Sequence, residues 1–133
     1  MELQVGVKIV LQNEEGKYLV LKRSKEKYPD VLDPWDIIGG RINPGTPLLE
    51  NLQREVTEET GLTIFGTPHV VAAQDILRGN ERHVVRITYV GRATGEIQLD
   101  LDHTEYRWCT AEELAGFGDA LDQYFRAVLA TLE

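Results

Sequence analysis

Three glutamates, Glu55, Glu58 and Glu59, stand at i, i+3 and i+4 in a stretch with helical character, so their carboxylates emerge from one face within about 6 Å of one another. Like charges at that spacing repel. A hard divalent cation offsets the repulsion: Mg²⁺ takes carboxylate oxygens together with waters and substrate phosphates, and Mn²⁺ accepts similar donors. A solvated acidic helix face gives the same spacing with no ion. Arg54, next to Glu55, can orient one of the carboxylates by a charge-assisted bond. Such a group suits chemistry in which negative charge builds on oxygens beside a bound metal ion.

The elements that must hold these side chains are legible around them. Gly39-Gly40 opens a glycine-containing loop, and backbone without Cβ atoms can approach a metal or phosphate closely. Thr46-Pro47 reads as a helix start, with a hydroxyl to cap free amides and a proline that has no N–H to leave unpaired. Gly61 reads as the stop. Within the helix Leu49, Leu52, Gln53 and Val56 follow the 3.6-residue period and form the expected buried stripe, which turns the glutamates towards a cleft.

In register along this stretch lie Gly40, Arg54, Glu55, Val56, Glu58, Glu59, Gly61 and Leu62. The pattern resembles the signature of the Nudix hydrolases, G-x5-E-x7-R-E-U-x-E-E-x-G-U with U aliphatic. One position departs: Thr46 stands where the signature has its first glutamate, and Glu50 lies four residues too late to fill it. The resemblance implies an αβα sandwich around a mixed β-sheet (class α+β), Mg²⁺ held by Glu58 and Glu59 with Glu55 as a further ligand or as the base that takes the water's proton, and the Gly39 carbonyl as another ligand. It also implies that Arg23, ending the second strand, contacts substrate phosphate, and that the region of the acidic loop and the following strand supplies another functional acid. We place Glu105 there, at the substrate site, with Asp102 behind it. Each has a plainer reading as a solvated side chain. Ile38 stands where the family usually has proline. The marker proline or tyrosine of members selective for ADP-ribose or dinucleoside polyphosphates is missing, Leu77, Arg78 and Gly79 occupying its region.

Composition limits the alternatives. At 133 residues the chain suits one domain, 1–133, with a real core. Hydrophobic residues at 42% and charged ones at 27% are ordinary for a globular protein and argue against disorder. A formal charge of −8 disfavours a nucleic-acid polymer as partner, since that needs a basic footprint. The lone Cys109, which reads as packed, the lack of a leader segment and the lack of an 18-residue apolar run lead us to expect a cytoplasmic protein with no membrane partner. Self-association stays open.

Along the chain, Gln4 to Gln12 and Lys17 to Arg23 alternate as strands around the turn Asn13-Glu14-Glu15-Gly16, predicting a hairpin. The stretch Arg23–Pro34 reads as a surface loop. A second hairpin is predicted from His69–Arg78 and His83–Arg92, with His69 and His83 as strand residues rather than zinc ligands. Ala93 to His103 reads as irregular, Glu105–Cys109 as a short strand, and Thr110-Ala111-Glu112-Glu113 as a capped helical turn. Asp119 to Leu132 predicts a closing amphipathic helix. Trp35, Tyr28 and Tyr89 can stack a base or pack the core.

The expected function is Mg²⁺-dependent hydrolysis of a nucleoside diphosphate linked to another moiety. The rivals are a catalytically weak or inactive nucleotide-binding module, motivated by Thr46, and a protein-interaction domain that only uses the fold.

Overall fold

A computed structural model describes residues 1–132, and Glu133, the last residue of the expected domain, lies outside them. The strands are β1 (Glu2–Leu11), β2 (Tyr18–Arg23), β3 (Trp35–Asp36), β4 (Ile38–Arg41), β5 (Thr63–Arg78), β6 (Arg82–Thr94) and β7 (His103–Cys109), and the helices are α1 (Leu48–Thr60), α2 (Ala111–Ala115) and α3 (Gln123–Leu129). The strands make a four-stranded mixed sheet, ordered β4-β1-β6-β5 with β1 parallel to β6, and a three-stranded antiparallel sheet, β3-β2-β7.

Apolar residues on both faces of β1 explain the layering. Val7, Ile9 and Leu11 join Leu19, Leu21, Ile38, Leu52 and Val56 under α1, whereas Val10 points the other way, into a second core with Val20, Trp35, Leu114, Phe125 and Val128 under α2 and α3. Helices therefore cover opposite sides of the strands, the expected αβα layering, with the central layer divided into two sheets. Among the described residues no helix is long and apolar enough to cross a membrane.

Several local expectations need correction. The first hairpin does not form as a ladder: β1 and β2 enter different sheets and touch through the single bridge Gln12↔Tyr18. The turn is as read, Asn13 Oδ1 accepting from the amides of Glu15 and Lys17, but β1 pairs with β4 and β6, and β2 with β3 and β7. Thr46 does not cap α1. Pro47 is the N-cap residue, without a side-chain cap bond, and the buried Asn51 takes over, accepting from the Asn43 amide at 2.9 Å and donating to the Thr46 and Pro47 carbonyls at 2.8 Å each. Leu49 is exposed, because the α1 face that meets the sheet is set by Leu52 and Val56 and completed by Asn51 and Thr60. The closing helix is shorter than expected: Asp122 caps α3 by accepting from the Phe125 amide at 2.9 Å, and a short 3₁₀ turn, Gly118–Ala120, precedes it.

The second hairpin forms from β5 and β6, with β5 beginning earlier, at Thr63, and continuing through irregularities around Gly66-Thr67-Pro68. The capped turn forms as read, with Thr110 and Glu113 bonding reciprocally at 2.9 and 3.1 Å. Gly61 ends α1 with φ 72°, its amide donating to Thr57. Cys109 is buried.

Candidate active site

The C-terminal half of α1, the end of β2, the Gly39-Gly40 strand and the segment before β7 meet at a polar cavity of about 280 Å³. Its lining contains Glu55, Glu58 and Glu59 from α1, Gly39, Arg23, Lys8 and Asp36 from the strands, and Asp100, Asp102 and His103 from the acidic segment. Gly39 donates its amide to Glu59 Oε2 at 3.2 Å, with φ 150°. A Cβ there would sit 2.0 Å from the Val7 carbonyl oxygen, so no other residue fits this backbone. At Gly40 a Cβ would lie 2.6 Å from Glu55 Oε1. The second glycine thus leaves room for a carboxylate, as the first leaves room for the main chain.

Glu59 is the enclosed member of the group. Burial pushes its pKa up to about 9, the Lys8 charge opposes that rise, and the hydrogen bond and negative charge of Glu55, with Asp100, add to it. His103 joins this wall: Nε2 lies 3.8 Å from Glu59 Oε1, and Nδ1 lies 2.7 Å from Asp100 Oδ1. Arg54 holds the outer acids, with NH2 3.2 Å from Glu55 Oε1 and Nε 3.8 Å from Glu58 Oε1, and it donates to the Arg41 carbonyl at 3.1 Å. Glu58 is the most exposed of the three, its side chain 59% accessible.

Beneath the carboxylates lies a buried ion network. Asp36 meets Lys8 Nζ at 3.0 Å, Arg23 at 3.2 Å and Arg86 at 3.3 Å, and Arg86 also reaches Asp122 at 3.0 Å. Burial alone would raise the Asp36 pKa, but Lys8, Arg86 and Arg23 outweigh it and hold the carboxyl below its ordinary value. Asp122 goes the other way, raised by burial and by the Asp36 charge. Lys8 and Arg23 are thereby held in place facing the acids.

Of the residues singled out from sequence, Glu55, Glu58, Glu59, Arg23 and Gly39 line one cavity, with Arg54 bracing its rim. Asp102 lines it too, engaged by Lys27 at 2.5 Å. Glu105 is placed elsewhere: it lies in β7 opposite Lys22 and pairs with Arg107 Nε at 2.9 Å, outside the cavity lining, because its strand position turns it onto the face where Arg107 covers Trp35. Trp35 and Tyr89 are buried core residues, whereas Tyr28 lines the cavity. His69 and His83 are strand residues, His83 pairing with Asp75 at 2.7 Å. Sequence reasoning missed Lys8, Asp36, Arg86, Asp100 and His103. The signal for the first three was a charge inside an apolar strand run, as in Val7-Lys8-Ile9 and Val85-Arg86-Ile87.

A family model described as the NUDIX domain matches residues 2–129. The chain belongs to the NUDIX family. A MutT protein of Methanosarcina mazei Go1, whose structure is solved, is 30% identical, with a TM-score of 0.80 over 97% of this NUDIX chain and 91% of that one. An 8-oxo-dGTP diphosphatase of Buchnera aphidicola (subsp. Schizaphis graminum, strain Sg) is 38% identical over 52 residues, 39% of this chain. A Bacillus subtilis (strain 168) protein for which the same activity is proposed is 30% identical over 100 residues, 75% of this chain. The matches span 38% and 60% of the lengths of these two curated relatives.

The fit of a divalent cation can be judged from the donors. They are all oxygen, as Mg²⁺ or Mn²⁺ requires, and the enclosed Glu59 lies beside Glu55 and Asp100 with one ammonium to offset them. Among the described residues no three His, Cys, Asp or Glu side chains converge to enclose an ion, because Arg54 holds two of the acids and Glu55 bonds to Glu59. The donor chemistry fits a hard cation, and binding one requires these carboxylates to leave their protein partners.

Proposed function

We propose that this NUDIX chain is a pyrophosphohydrolase that uses Mg²⁺, or Mn²⁺ in its place, to cleave a nucleoside diphosphate linked to another moiety, with water attacking phosphorus. The observation that carries this reading is the enclosed Glu59, pressed against Glu55 and Asp100 on one side and the Gly39 amide on the other. A buried group of acids is costly unless a cation neutralises it.

Glu55, Glu58 and Glu59, with the Gly39 carbonyl, would hold the cation, which when bound supplies charge neutralisation on the phosphate oxygens and lowers the pKa of water. The remaining work belongs to the chain. Arg54 orients Glu55 and Glu58. Glu55 serves either as a further ligand or as the base that accepts the water's proton at a carboxylate oxygen. Lys8 and Arg23, fixed by Asp36, face the non-bridging oxygens and oppose the charge that accumulates there as the bridging P–O bond breaks. The products are a nucleoside monophosphate, or a similar phosphate, and the remaining phosphorylated half.

The names of the curated relatives make 8-oxo-dGTP the first substrate to try. The test is a Mg²⁺ panel of 8-oxo-dGTP, unmodified NTPs, ADP-ribose, dinucleoside polyphosphates and nucleotide sugars, with products identified by mass. Turnover of at least one member is expected, abolished by chelation and reduced about a hundredfold or more in Glu59→Gln, since several kcal/mol of charge stabilisation depend on that ligand. Tight binding without turnover would favour the second reading, an inactive nucleotide-binding module, which Thr46 in place of the first motif glutamate supports.

A further inference from the structure

Beyond the carboxylates, and sharing Lys8, Arg23 and Gly39 with their cavity, lies a larger one of about 430 Å³. Its floor is one face of the four-stranded sheet. Residues paired across strands share a face, as do residues two apart along a strand. Arg41, Gly6, Arg86 and Gln74 form one row across β4, β1, β6 and β5, and Glu2, Arg82 and Arg78 form another, four residues further along the strands. Gly6 leaves the floor low between Arg41 and Arg86, both of which line the cavity with Arg78, and Arg82 stands just outside the lining, paired across the strands with Arg78.

The cations of this face fall into two kinds. Lys8 and Arg86 are neutralised by Asp36 and Asp122. Arg41, Arg78 and Arg82 are solvent-accessible and, among the described residues, have no carboxylate within salt-bridge distance. Glu2, the acid facing Arg82 in register, accepts instead from Gln4. Burial and the neighbouring Arg82 and Arg78 charges hold the Arg41 pKa below its ordinary value, against the smaller opposing charge of Glu2. A chain with 22 acidic residues against 14 Lys and Arg has ample means to pair three arginines, yet these stand together unpaired. Guanidinium groups in such a cluster match phosphate geometry by bidentate bonds. Among the described residues the cavity has no two-sided aromatic clamp for a base: the one aromatic in its lining, Tyr124, is covered by the Arg86 guanidinium at 5.7 Å.

We propose that Arg41, Arg78 and Arg82 form a second anion subsite, and that the substrate half lying in the larger cavity carries a phosphate of its own, apart from the diphosphate that is cleaved. This deepens the hydrolase reading and rests on it, but the subsite binds phosphate whether or not cleavage occurs.

Binding is therefore tested first, by calorimetry at low salt without metal. Adenosine 3′,5′-bisphosphate and adenosine 2′,5′-bisphosphate are compared with AMP on the whole chain and on Arg41→Gln, Arg78→Gln and the Arg78→Gln/Arg82→Gln pair. At least one bisphosphate is expected to bind about tenfold or more tighter than AMP, with the advantage falling to within about twofold in the paired variant. Equal affinities for all three ligands, or an advantage that survives the substitutions, overturns the subsite. The kinetic counterpart compares kcat/KM with Mg²⁺ for NADPH against NADH and for CoA against dephospho-CoA, the phosphorylated member being favoured in at least one pair. A bisphosphate preference with no turnover of any substrate keeps the subsite and removes the hydrolase reading; turnover with no preference does the reverse. Selective binding of a 5′-triphosphorylated RNA oligonucleotide over every mononucleotide overturns the small-molecule proposal in favour of a polymer.

Discussion

The two adjacent glycines make opposite predictions although they differ by one position. At Gly40 an added methyl meets the flexible end of Glu55, so Gly40→Ala is expected to fold with a denaturation midpoint close to the parent's and to lose at least about tenfold in kcat as the carboxylate is pushed aside. At Gly39 the methyl meets the Val7 main chain, so Gly39→Ala is expected to lower thermal stability markedly, as calorimetry would record. The buried acid adds a pH dependence whose sign can be worked out. Glu59 has an ordinary value of 4.5 and a folded value of about 9, so the folded state holds its proton more firmly than the unfolded state does. Its contribution is fully present below pH 4.5 and is lost as pH rises towards 9. The metal-free protein is expected to show a falling urea midpoint across that window, with a shallower slope in Glu59→Gln. At this scale the glutamates and Arg54 were legible because a helix places i, i+3 and i+4 together whatever surrounds it. Lys8, Asp36 and His103 were not, because what brings them to the cavity is pairing between strands distant in sequence.

At the scale of elements, α1 is held at its start by a side chain that no capping rule pointed to. Asn51 is fully buried and makes three hydrogen bonds that close the loop before the helix. Asn51→Ala is expected to cost about 1–3 kcal/mol in urea denaturation, since it orphans the Asn43 amide and the Thr46 carbonyl, while the Pro47 carbonyl keeps the backbone amide of residue 51. Gly61→Ala at the other end, where φ is 72°, is expected to cost about 1 kcal/mol. The existence of nearly every element could be read from period and turn chemistry. Partners could not: the alternation in β1 and β2 is as compatible with pairing to each other as with separate sheets, and β1 instead takes its partners β4 and β6 from distant parts of the chain.

Across the whole molecule, β1 is the common wall of both cores, giving Ile9 to one and Val10 to the other. Ile9→Ala, under α1, and Phe125→Ala, under α3, are expected to destabilise by about 2–5 kcal/mol each. Both are expected to show a single transition, coincident by fluorescence and far-UV circular dichroism, because neither core can open without the strand they share. The layered architecture was legible from the order of elements and from the family resemblance. The split into two sheets was hidden, since it rests on pairings between strands distant in sequence, β1 with β6 and β2 with β7.

The acidic segment is stitched to the end of α1 by its main chain, Gln98 donating to the Thr60 carbonyl at 2.8 Å and Asp100 to that of Glu59 at 3.3 Å. Asp100 and His103 are therefore anchored to the same scaffold as the acids they face, and that side of the cup behaves as a fixed lip instead of a moving jaw. Amide protons of Gln98 and Asp100 should exchange as slowly as those in the last turn of the helix, and the Arg23–Pro34 loop is tied to the same lip, Ser24 donating its amide to the Asp102 carbonyl at 2.8 Å.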